Sequence, residues 1–461
     1  METKSLSELV EFVKDKLKPE QTESIYYVGL EHIQKETGKI VQKNELSAIN
    51  STKNRFIKGD ILYGKLRPNL NKVALASRSG VCSTDILVIR PGSKVRASFL
   101  HYLMLGKEFV NEMSQNTTGV NLPRVSKKTI ENYQIPLFPL EDQKRIVEKV
   151  ETLFNDLDAS VSSLQKALAK LKTYRQSVLQ QAFEGKLTAQ WRAAESEKGK
   201  LRPAEELLSE IKEARAQHYA EALEKAKAEG TRKPKKPKEF PPVSPSELGE
   251  LPVLPKGWLW VRLGEIAEMV LGKMLDKKKN KGRLQQYLRN VNVRWGVFDL
   301  DNLLSMRFEE HEDERYGLRE GDLVVCEGGE PGRSAIWRGK NGSTKIQKAL
   351  HRVRFPKAIK PEFVYFFMLY SSQNGHLESR FTGTTIKHLT GKKFSELPIP
   401  LCSLPEQKQI VTEINRRFEK ADRLEATIQA SLKQAETLRQ SILKKAFAGE
   451  LLAAPEKTSN T

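Results

Sequence analysis

The sequence predicts an α+β (mixed α/β) protein made of two related domains, each followed by one long helix. Three observations predict this fold. The chain contains an internal duplication, each copy begins with short β-rich runs between glycine and proline turns, and each copy ends in a helical stretch with heptad-like apolar spacing. With 461 residues, of which 38% are hydrophobic, the chain is long enough to bury more than one core.

The duplication is clearest at the ends of the two copies. Residues 173–187 recur as residues 437–451, which is a shift of 264 residues. Further matches occur upstream at the same shift: Gln143 with Gln407, Pro136 with Pro400, Gly119 with Gly383 and Phe99 with Phe363. Gly59 matches Gly321 at a shift of 262, as a loop insertion would produce. The chain is therefore two tandem copies of one unit.

Each copy has a mixed first part and a helical second part. In the first part, β-rich runs such as residues 60–63 and 322–325 alternate with turns. In the second part, apolar residues at alternating three and four spacing follow the pattern of a coiled-coil seam. These patterns predict the following segments: a first domain at 1–140, a helix at 141–187, a linker at 188–255, a second domain at 256–404, a helix at 405–452 and a disordered tail at 453–461.

The linker contains a helical stretch near residues 204–229, followed by a basic run at 231–238 in which prolines separate lysines. Proline excludes a helix there, so we expect this run to be exposed. Two interpretations of the run stay open. It is either an electrostatic contact with DNA or a partner protein, or a solvated tether, which is the simpler interpretation.

The charge of the chain indicates a polyanionic partner. The formal net charge is +20 and the pI is about 9.6, and such an excess of lysine and arginine attracts nucleic acid through phosphate contacts and counterion release. Cys82, Cys326 and Cys402 are widely separated and form no CxxC spacing, which is typical of a reducing compartment. Because the sequence shows neither a signal pattern nor a long apolar run, we expect a cytoplasmic protein without a membrane contact.

The sequence offers no catalytic motif, so we expect neither catalytic residues nor a bound cofactor. A zinc-protease-like segment at His311 lacks the second histidine, so we also expect no metal. The glycine-rich residues 328–334 are one residue short of a phosphate loop and have Arg333 in place of its lysine, which favours a tight turn. Asp142 and Glu406 precede Gln-Lys as in some nucleases, but they stand at predicted helix N-termini, where carboxylates satisfy free N–H groups. The tetrapeptide with which amino-methyltransferases hold a flipped base is missing as well.

Four motifs resemble those of the specificity (S, HsdS) subunits of type I restriction–modification systems. They are Gly-Asp-Ile-Leu-Tyr-Gly-Lys-Leu-Arg-Pro at 59–68, Ile-Pro-Leu at 135–137 before Gln143, Ala-Phe-Glu-Gly-Lys-Leu-Thr at 182–188 with Trp-Arg at 191–192, and Leu-Pro-Lys-Gly-Trp at 254–258. The resemblance covers nearly the whole chain. It departs from the family pattern at the first copy, which lacks the Leu-Pro-x-Gly-Trp opening and begins near residues 6–9.

The resemblance implies both an architecture and a function. In the family, the mixed parts are target-recognition domains in a pseudo-two-fold inverted arrangement, joined by two long antiparallel coiled-coil helices that act as a spacer. Two such domains would read an asymmetric, bipartite site in double-stranded DNA. The implied partners are two adenine methyltransferase subunits, which use S-adenosylmethionine, and two restriction subunits, which use ATP and Mg; none of these cofactors would bind this chain.

Candidate DNA-binding residues are chosen by charge, polarity and glycine context, because recognition domains vary within the family. In the first domain they are Lys65, Arg67, Asn69, Asn71 and Lys72, between two predicted strands, and Thr118, Gly119, Asn121 and Arg124, in a polar loop. In the second domain they are Lys273, Lys277, Lys278, Lys279 and Arg283, in a cationic loop, with Arg333, Thr384, Thr385, Lys387 and His388. The alternatives are a surface hairpin for residues 65–72 and a disordered solubilising loop for residues 273–283.

The long helices offer a further binding surface. Their outward faces, including Arg175, Gln176, Arg439 and Gln440, are expected to bind methyltransferase subunits because the two copies agree best there. The alternative is that this agreement maintains only the helix pair. Two other functions compete with DNA specificity: a fused restriction and methylation enzyme, for which no catalytic segment remains, and a non-enzymatic coiled-coil DNA-binding or scaffold protein without a restriction partner.

Overall fold

The structure, a computed structural model, describes residues 2–17, 25–41, 51–231, 233–274, 276 and 278–452, and the backbone alone at 44–46. The chain forms two compact units. Unit 1 comprises Met1–Ala167 and Ala426–Thr461, and unit 2 comprises Leu168–Glu425. Lys277 and the predicted tail at 453–461 lie outside the described residues.

Unit 1 is built on short strands. In chain order they are β1 (Thr3–Ser5), β2 (Val10–Phe12), β3 (Lys16–Leu17), β4 (Ile25–Val28), β5 (Asn44–Leu46), β6 (Lys53–Phe56), β7 (Ile61–Gly64), β8 (Val73–Leu75), β9 (Gly80–Cys82), β10 (Ile86–Pro91), β11 (Thr117–Thr118), β12 (Arg124–Val125) and β13 (Gln134–Pro136). They form sheets in the orders β2-β10-β7-β8 and β3-β6-β9-β4-β5, and the pairs β1-β13 and β11-β12. Every pairing of these strands is antiparallel except that of β4 with β9.

The α-helices that lie in or begin in the described part of unit 1 are α1 (Ala97–Leu105), α2 (Lys107–Gln115), α3 (Lys127–Glu131) and α4 (Leu140–Phe183). The core forms where α1 covers the sheet. Phe99 and Met104 of α1 are buried in one cluster with Ile61 and Tyr63 of β7, as the apolar pattern of residues 99–105 predicts. Because β7 is flanked by two strands and buried throughout, its residues form a continuous apolar run.

Unit 2 contains strands β14 (Leu259–Arg262), β15 (Glu268–Leu271), β16 (Arg283–Leu288), β17 (Leu304–Phe308), β18 (Leu323–Cys326), β19 (Ser334–Ile336), β20 (Lys345–Ile346), β21 (Leu350–Arg354) and β22 (Pro398–Leu401). The helices that lie in or begin in unit 2 are α5 (Ala189–Glu197), α6 (Ala204–Ala228), α7 (Pro245–Gly249), α8 (Leu263–Ile266), α9 (Asp313–Tyr316), α10 (Pro361–Gln373), α11 (Gly391–Ser395) and α12 (Leu404–Phe447). The sheets have the orders β15-β21-β18-β19, β17-β16-β20 and β14-β22.

The duplication in the sequence is also a duplication of sheets. The order β15-β21-β18-β19 in unit 2 repeats β2-β10-β7-β8 in unit 1, and the pair β14-β22 repeats β1-β13. The first copy therefore does possess an opening strand. It is β1, which precedes the expected start at residues 6–9, and Leu6–Glu8 form a 3-10 turn after it.

The long helices α4 and α12 have 44 residues each, which corresponds to about 66 Å. Each helix contributes to both units. In unit 1, Ile146 and Phe154 of α4 share a core with Ile442 of α12. In unit 2, Val178 of α4 shares a core with Ile414 of α12. In both units the N-terminal half of one helix meets the C-terminal half of the other, so the pairing within each unit is antiparallel. Throughout the described ranges, no helix is both long enough and apolar enough to cross a membrane.

The linker between the copies folds onto unit 2. Ala204 and Ile211 of α6 are buried in the main core of unit 2, and the Arg215 guanidinium donates hydrogen bonds of 2.7 Å to the carbonyl oxygens of Gly264 and Glu265. The lysines of the basic run that the structure describes are exposed, as predicted. The segments on either side are nevertheless fixed to unit 2, so the basic run is not part of a free tether.

Candidate nucleic-acid interface

Two of the loops singled out in unit 1 lie side by side. We call residues 65–72 and 117–124 the unit 1 loop pair. The Val125 amide donates to the Lys65 carbonyl oxygen at 3.1 Å, and the Arg67 amide donates to the Pro123 carbonyl oxygen at 2.8 Å. The first loop joins β7 to β8, and the second is the hairpin of β11 and β12. Main-chain hydrogen bonds therefore hold two polar loops together at one end of the sheet.

Unit 2 repeats this arrangement. We call residues 327–333 and 382–388 the unit 2 loop pair. The Leu389 amide donates to the Glu327 carbonyl oxygen at 2.7 Å, which is the bond that Val125 makes to Lys65 in unit 1. Gly328 forms a backbone bridge with His388, as Leu66 does with Arg124. The two copies thus present the same pair of loops on the same scaffold.

The first loop of unit 1 divides into exposed and buried candidates. Arg67 and Asn69 are exposed, and Lys65 is half-buried. Asn71 is 2% exposed, and its side-chain amide donates to the Leu105 carbonyl oxygen at 3.0 Å. The Lys72 ammonium donates to the Leu30 carbonyl oxygen. Asn71 and Lys72 thus hold the loop to the rest of unit 1, and we remove both from the candidate DNA contacts.

The hairpin of unit 1 keeps all of its candidates at the surface. Thr118, Gly119, Asn121 and Arg124 are exposed. Gly119 has a φ of +90°, a conformation that strains other residues and here allows a tight tip. The Arg124 guanidinium lies 3.3 Å from the Asp85 carboxylate in an exposed ion pair, a partner that sequence reasoning missed because Asp85 belongs to another loop.

In unit 2 the exposed candidates are concentrated in the second loop. Thr384, Thr385, Lys387 and His388 are all exposed. Arg333, in the first loop, is different. Its guanidinium lies 2.7 Å from the Glu330 carboxylate and donates to the Asn290 carbonyl oxygen at 2.9 Å. Arg333 therefore braces the glycine-rich turn from within, and with only 14% of its side chain exposed it is poorly accessible to a phosphate.

The cationic loop of unit 2 faces an acidic segment. Lys273 is 6% exposed and its ammonium is paired with Glu312, so it is a structural residue and leaves the candidate set. The Arg283 guanidinium lies 2.8 Å from the exposed Glu310 carboxylate. The amides of Lys278 and Lys279 donate to the Asp276 carboxylate, and the Lys279 ammonium lies 3.8 Å from it, while both side chains stay exposed. Of this loop, Lys278 and Lys279 are the candidates best placed to reach phosphate.

The two loop pairs differ in charge although they agree in backbone. The first loop of unit 1 contains Lys65, Arg67 and Lys72 and no acid, whereas the first loop of unit 2 contains Glu327, Glu330 and one cation, Arg333. Carboxylates accept hydrogen bonds from cytosine, and Arg or Lys donate to guanine. One geometry therefore carries two different sets of donors and acceptors.

A buried cluster at the base of unit 2 explains the Leu-Pro-Lys-Gly-Trp and Trp-Arg motifs. The Trp258 indole donates to the Glu406 carboxylate at 2.9 Å, and the Arg192 guanidinium donates to it at 2.7 Å. The Thr188 hydroxyl donates to the same carboxylate at 2.9 Å. Glu406 stands in the first turn of α12, so the acidic residue of the nuclease-like tripeptide joins the linker to that helix.

The arginines that the two copies share in the long helices, Arg175 and Arg439, point into the helix pairs. In unit 2, the Arg175 guanidinium lies 2.5 Å from the Asp422 carboxylate and 2.8 Å from the Glu425 carboxylate. In unit 1, Arg439 is paired with Asp158 and lies 4.3 Å from the centre of the Phe154 ring. The agreement of the two copies at these arginines is therefore explained by helix pairing, without a partner protein.

The residues that the structure describes form no metal site. No group of three or more His, Cys, Asp and Glu side chains could hold a metal ion there. Burial raises the pKa of the Cys82 thiol to about 12 and that of Cys326 to about 11, which keeps both thiols protonated at neutral pH.

The chain matches one protein family along most of its length. The family model described as the type I restriction modification DNA specificity domain matches residues 1–168 and 255–434. The specificity subunit of the type I restriction enzyme EcoDI of Escherichia coli is 37% identical over 164 residues, which cover 35% of this chain and only 36% of that subunit. The EcoKI specificity subunit of Escherichia coli K12 is 25% identical over 381 residues, covering 79% of this chain and 68% of that subunit.

Two solved structures share the fold. A chain from a structure of complex assembly and conformational transition of the type I R-M system has a TM-score of 0.66 and 20% identity, and the match covers 97% of both chains. The HsdS subunit from Thermoanaerobacter tengcongensis has a TM-score of 0.53 and 20% identity, again over 97% of both chains. At this identity the likeness establishes the mixed fold with two domains and long helices.

Proposed function

Since the chain belongs to the type I restriction modification DNA specificity family, we propose that it selects an asymmetric, bipartite site in duplex DNA for its partner subunits. One observation carries this proposal: the same loop pair occurs in both units with different side chains. Two readers of common ancestry and different chemistry are suited to two half-sites of different sequence.

The chain contributes recognition, and its partners contribute the reactions. Methylation of adenine would come from two methyltransferase subunits with S-adenosylmethionine, and cleavage from two restriction subunits with ATP and Mg, all in the cytoplasm. Exposed residues of the loop pairs would contact base edges. Lys278, Lys279 and the lysines of the basic run would contact phosphates, as the excess of positive charge favours. A coiled-coil scaffold without DNA recognition would not account for the repeated loop pair.

The proposal is tested by selection from a random-sequence duplex library with the full chain in complex with its methyltransferase subunits. The expected result is enrichment of two different half-sites at one constant gap. Replacement of Arg67 and Asn69 by alanine should relax preference in one half-site and leave the other unchanged. Enrichment of no defined sequence, or of one symmetric site, would contradict the proposal. Incubation of the chain alone with S-adenosylmethionine and DNA tests the non-catalytic role, and we expect no methyl transfer.

A further inference from the structure

Each loop pair carries a large apolar side chain at an equivalent, exposed position. Unit 1 has a second exposed apolar residue, Val120, which is replaced by Thr384 in unit 2. Leu122 is 50% exposed and Ile386 is 65% exposed. Each follows a glycine in the left-handed region by three residues, Gly119 with φ +90° and Gly383 with φ +91°. The two residues between differ completely, since they are Val-Asn in unit 1 and Thr-Thr in unit 2. This position is therefore apolar in both copies, although the two residues before it differ between them.

Exposure alone would mean little, because single apolar residues are common on protein surfaces. Ile57, which is 47% exposed on unit 1, is such a residue. Leu122 and Ile386 differ from Ile57 in two ways: they occupy equivalent positions in the two copies, and they lie in the loop pairs. Among the described residues neither belongs to a buried core of its unit, so folding does not explain why the position is apolar in both copies.

The surroundings of these side chains indicate the chemistry of what they contact. Leu122 is two residues from the exposed Arg124, and Ile386 is next to the exposed Lys387. A partner that contacts both the apolar side chain and the neighbouring cation must present negative charge around an apolar group. The major groove of B-DNA does this, because phosphates line it and the thymine 5-methyl is the apolar group on its base edges.

We propose that Leu122 and Ile386 are specificity-determining residues, each in contact with a thymine methyl group in the major groove of one half-site. This inference rests on the proposed function, because that function places the loop pairs on DNA. The inference specifies one base in each half-site, a thymine, and the group through which it is recognised, the 5-methyl.

The test replaces single thymines by uracil, which lacks only the methyl group, in the site selected by the wild-type complex. Uracil at the contacted position should weaken binding of the wild-type complex about fourfold, the effect expected for one buried methyl group. The same uracil should leave binding of Leu122→Ala unchanged, because the apolar partner is already gone. Ile386→Ala should behave likewise at one thymine of the other half-site.

Matched controls are Ile57→Ala in unit 1 and Val297→Ala in unit 2, which remove exposed apolar side chains outside the loop pairs. Both should retain the full uracil effect, and thermal melting should show that all four variants are folded. A half-site without thymine, or a uracil effect that persists in Leu122→Ala and Ile386→Ala, would overturn the inference. So would loss of methyltransferase binding in these variants, which would assign the side chains to a protein contact. Failure of the wild-type complex to select any site would instead count against the proposed function.

Discussion

Arg354 donates two hydrogen bonds to the buried carboxylate of Asp322, one of 2.8 Å from Nε and one of 2.7 Å from an Nη atom. Arg90 and Asp60 make the same pair in unit 1, at 2.8 and 2.9 Å. In each unit the acid immediately precedes one central strand and the arginine lies on its neighbour. The pair therefore fixes the two strands at the opposite end from the loop pair.

Asp322→Ala should destabilise unit 2 by about 3 kcal/mol, because it leaves the charge of a largely buried arginine without its partner. The double variant Asp322→Ala with Arg354→Met should lose less stability than the single variant, since it removes both charges. Urea unfolding followed by tryptophan fluorescence measures this, because all five tryptophans belong to unit 2. Equal losses in the single and double variants would contradict it. The exposed Asp301→Ala is the control.

Glu406→Gln should destabilise unit 2 by about 2 kcal/mol, because the amide cannot accept all the hydrogen bonds that Trp258, Arg192 and Thr188 donate to the carboxylate. The same unfolding measurement applies. Glu210→Gln, which removes an exposed ion pair with Arg202, should have almost no effect. A stability of Glu406→Gln equal to that of this control would show that the cluster contributes nothing.

The contribution of Glu413 to the stability of unit 2 should disappear at acidic pH. Hydrogen bonds from Arg416 and Arg417 lower the pKa of this carboxyl from 4.5 to about 2. A lowered pKa in the folded state contributes stability above the unfolded value, and this is lost as pH falls from 4.5 towards 2. Glu413→Gln should therefore lower the free energy of unfolding by about 1 kcal/mol at pH 7, after allowance for solvent screening. The same substitution should have no effect near the lower end of that pH range. A difference between variant and wild type that is constant with pH would refute this.

Replacement of Lys278 and Lys279 by alanine should weaken binding to specific and random duplexes alike, and should reduce the slope of log affinity against log salt by about two. The measurement is a salt titration with both duplexes. The control is the double variant of Lys225 and Lys227 on α6, which removes equal charge but falls outside the cationic loop. Equal slopes for the wild type and the Lys278 and Lys279 variant would exclude phosphate contacts there.

Removal of one heptad from the middle of both long helices should shorten the preferred gap between half-sites by about three base pairs, because seven helical residues span about 10.5 Å. Library selection with the shortened chain measures the gap. A variant with one heptad removed from α4 alone should disturb the antiparallel pairing and bind poorly at every gap. If the paired deletion selects the original gap, the helices do not set the spacing.

The sequence predicted elements whose signals are local or repeated. The duplication, the long helices and the buried α1 follow from periodicity and from matches at a fixed shift. Predictions for single charged residues failed where the partner is distant in sequence. Lys273 resembles a solvent-exposed cation until Glu312, on another element, is seen to pair with it.

Arg90 and Arg354 are structural residues that the sequence could have identified. They are related by the same shift of 264 residues as the long helices, so the repetition could have identified them beside the matched aspartates. The sequence could not predict that the linker folds onto unit 2, because an apolar face on α6 does not show which surface it packs against. The burial of Asn71 likewise depends on Leu105, which belongs to α1.

The bonds that join the loops of each pair come from amide and carbonyl groups, which every residue except proline provides in full. Exchanges among the exposed side chains therefore leave these hydrogen bonds in place, so under the proposed function the bases contacted could change at little cost in folding. Under the proposed function, the two loop pairs could change independently, so a new combination of half-sites would require changes in only one of them.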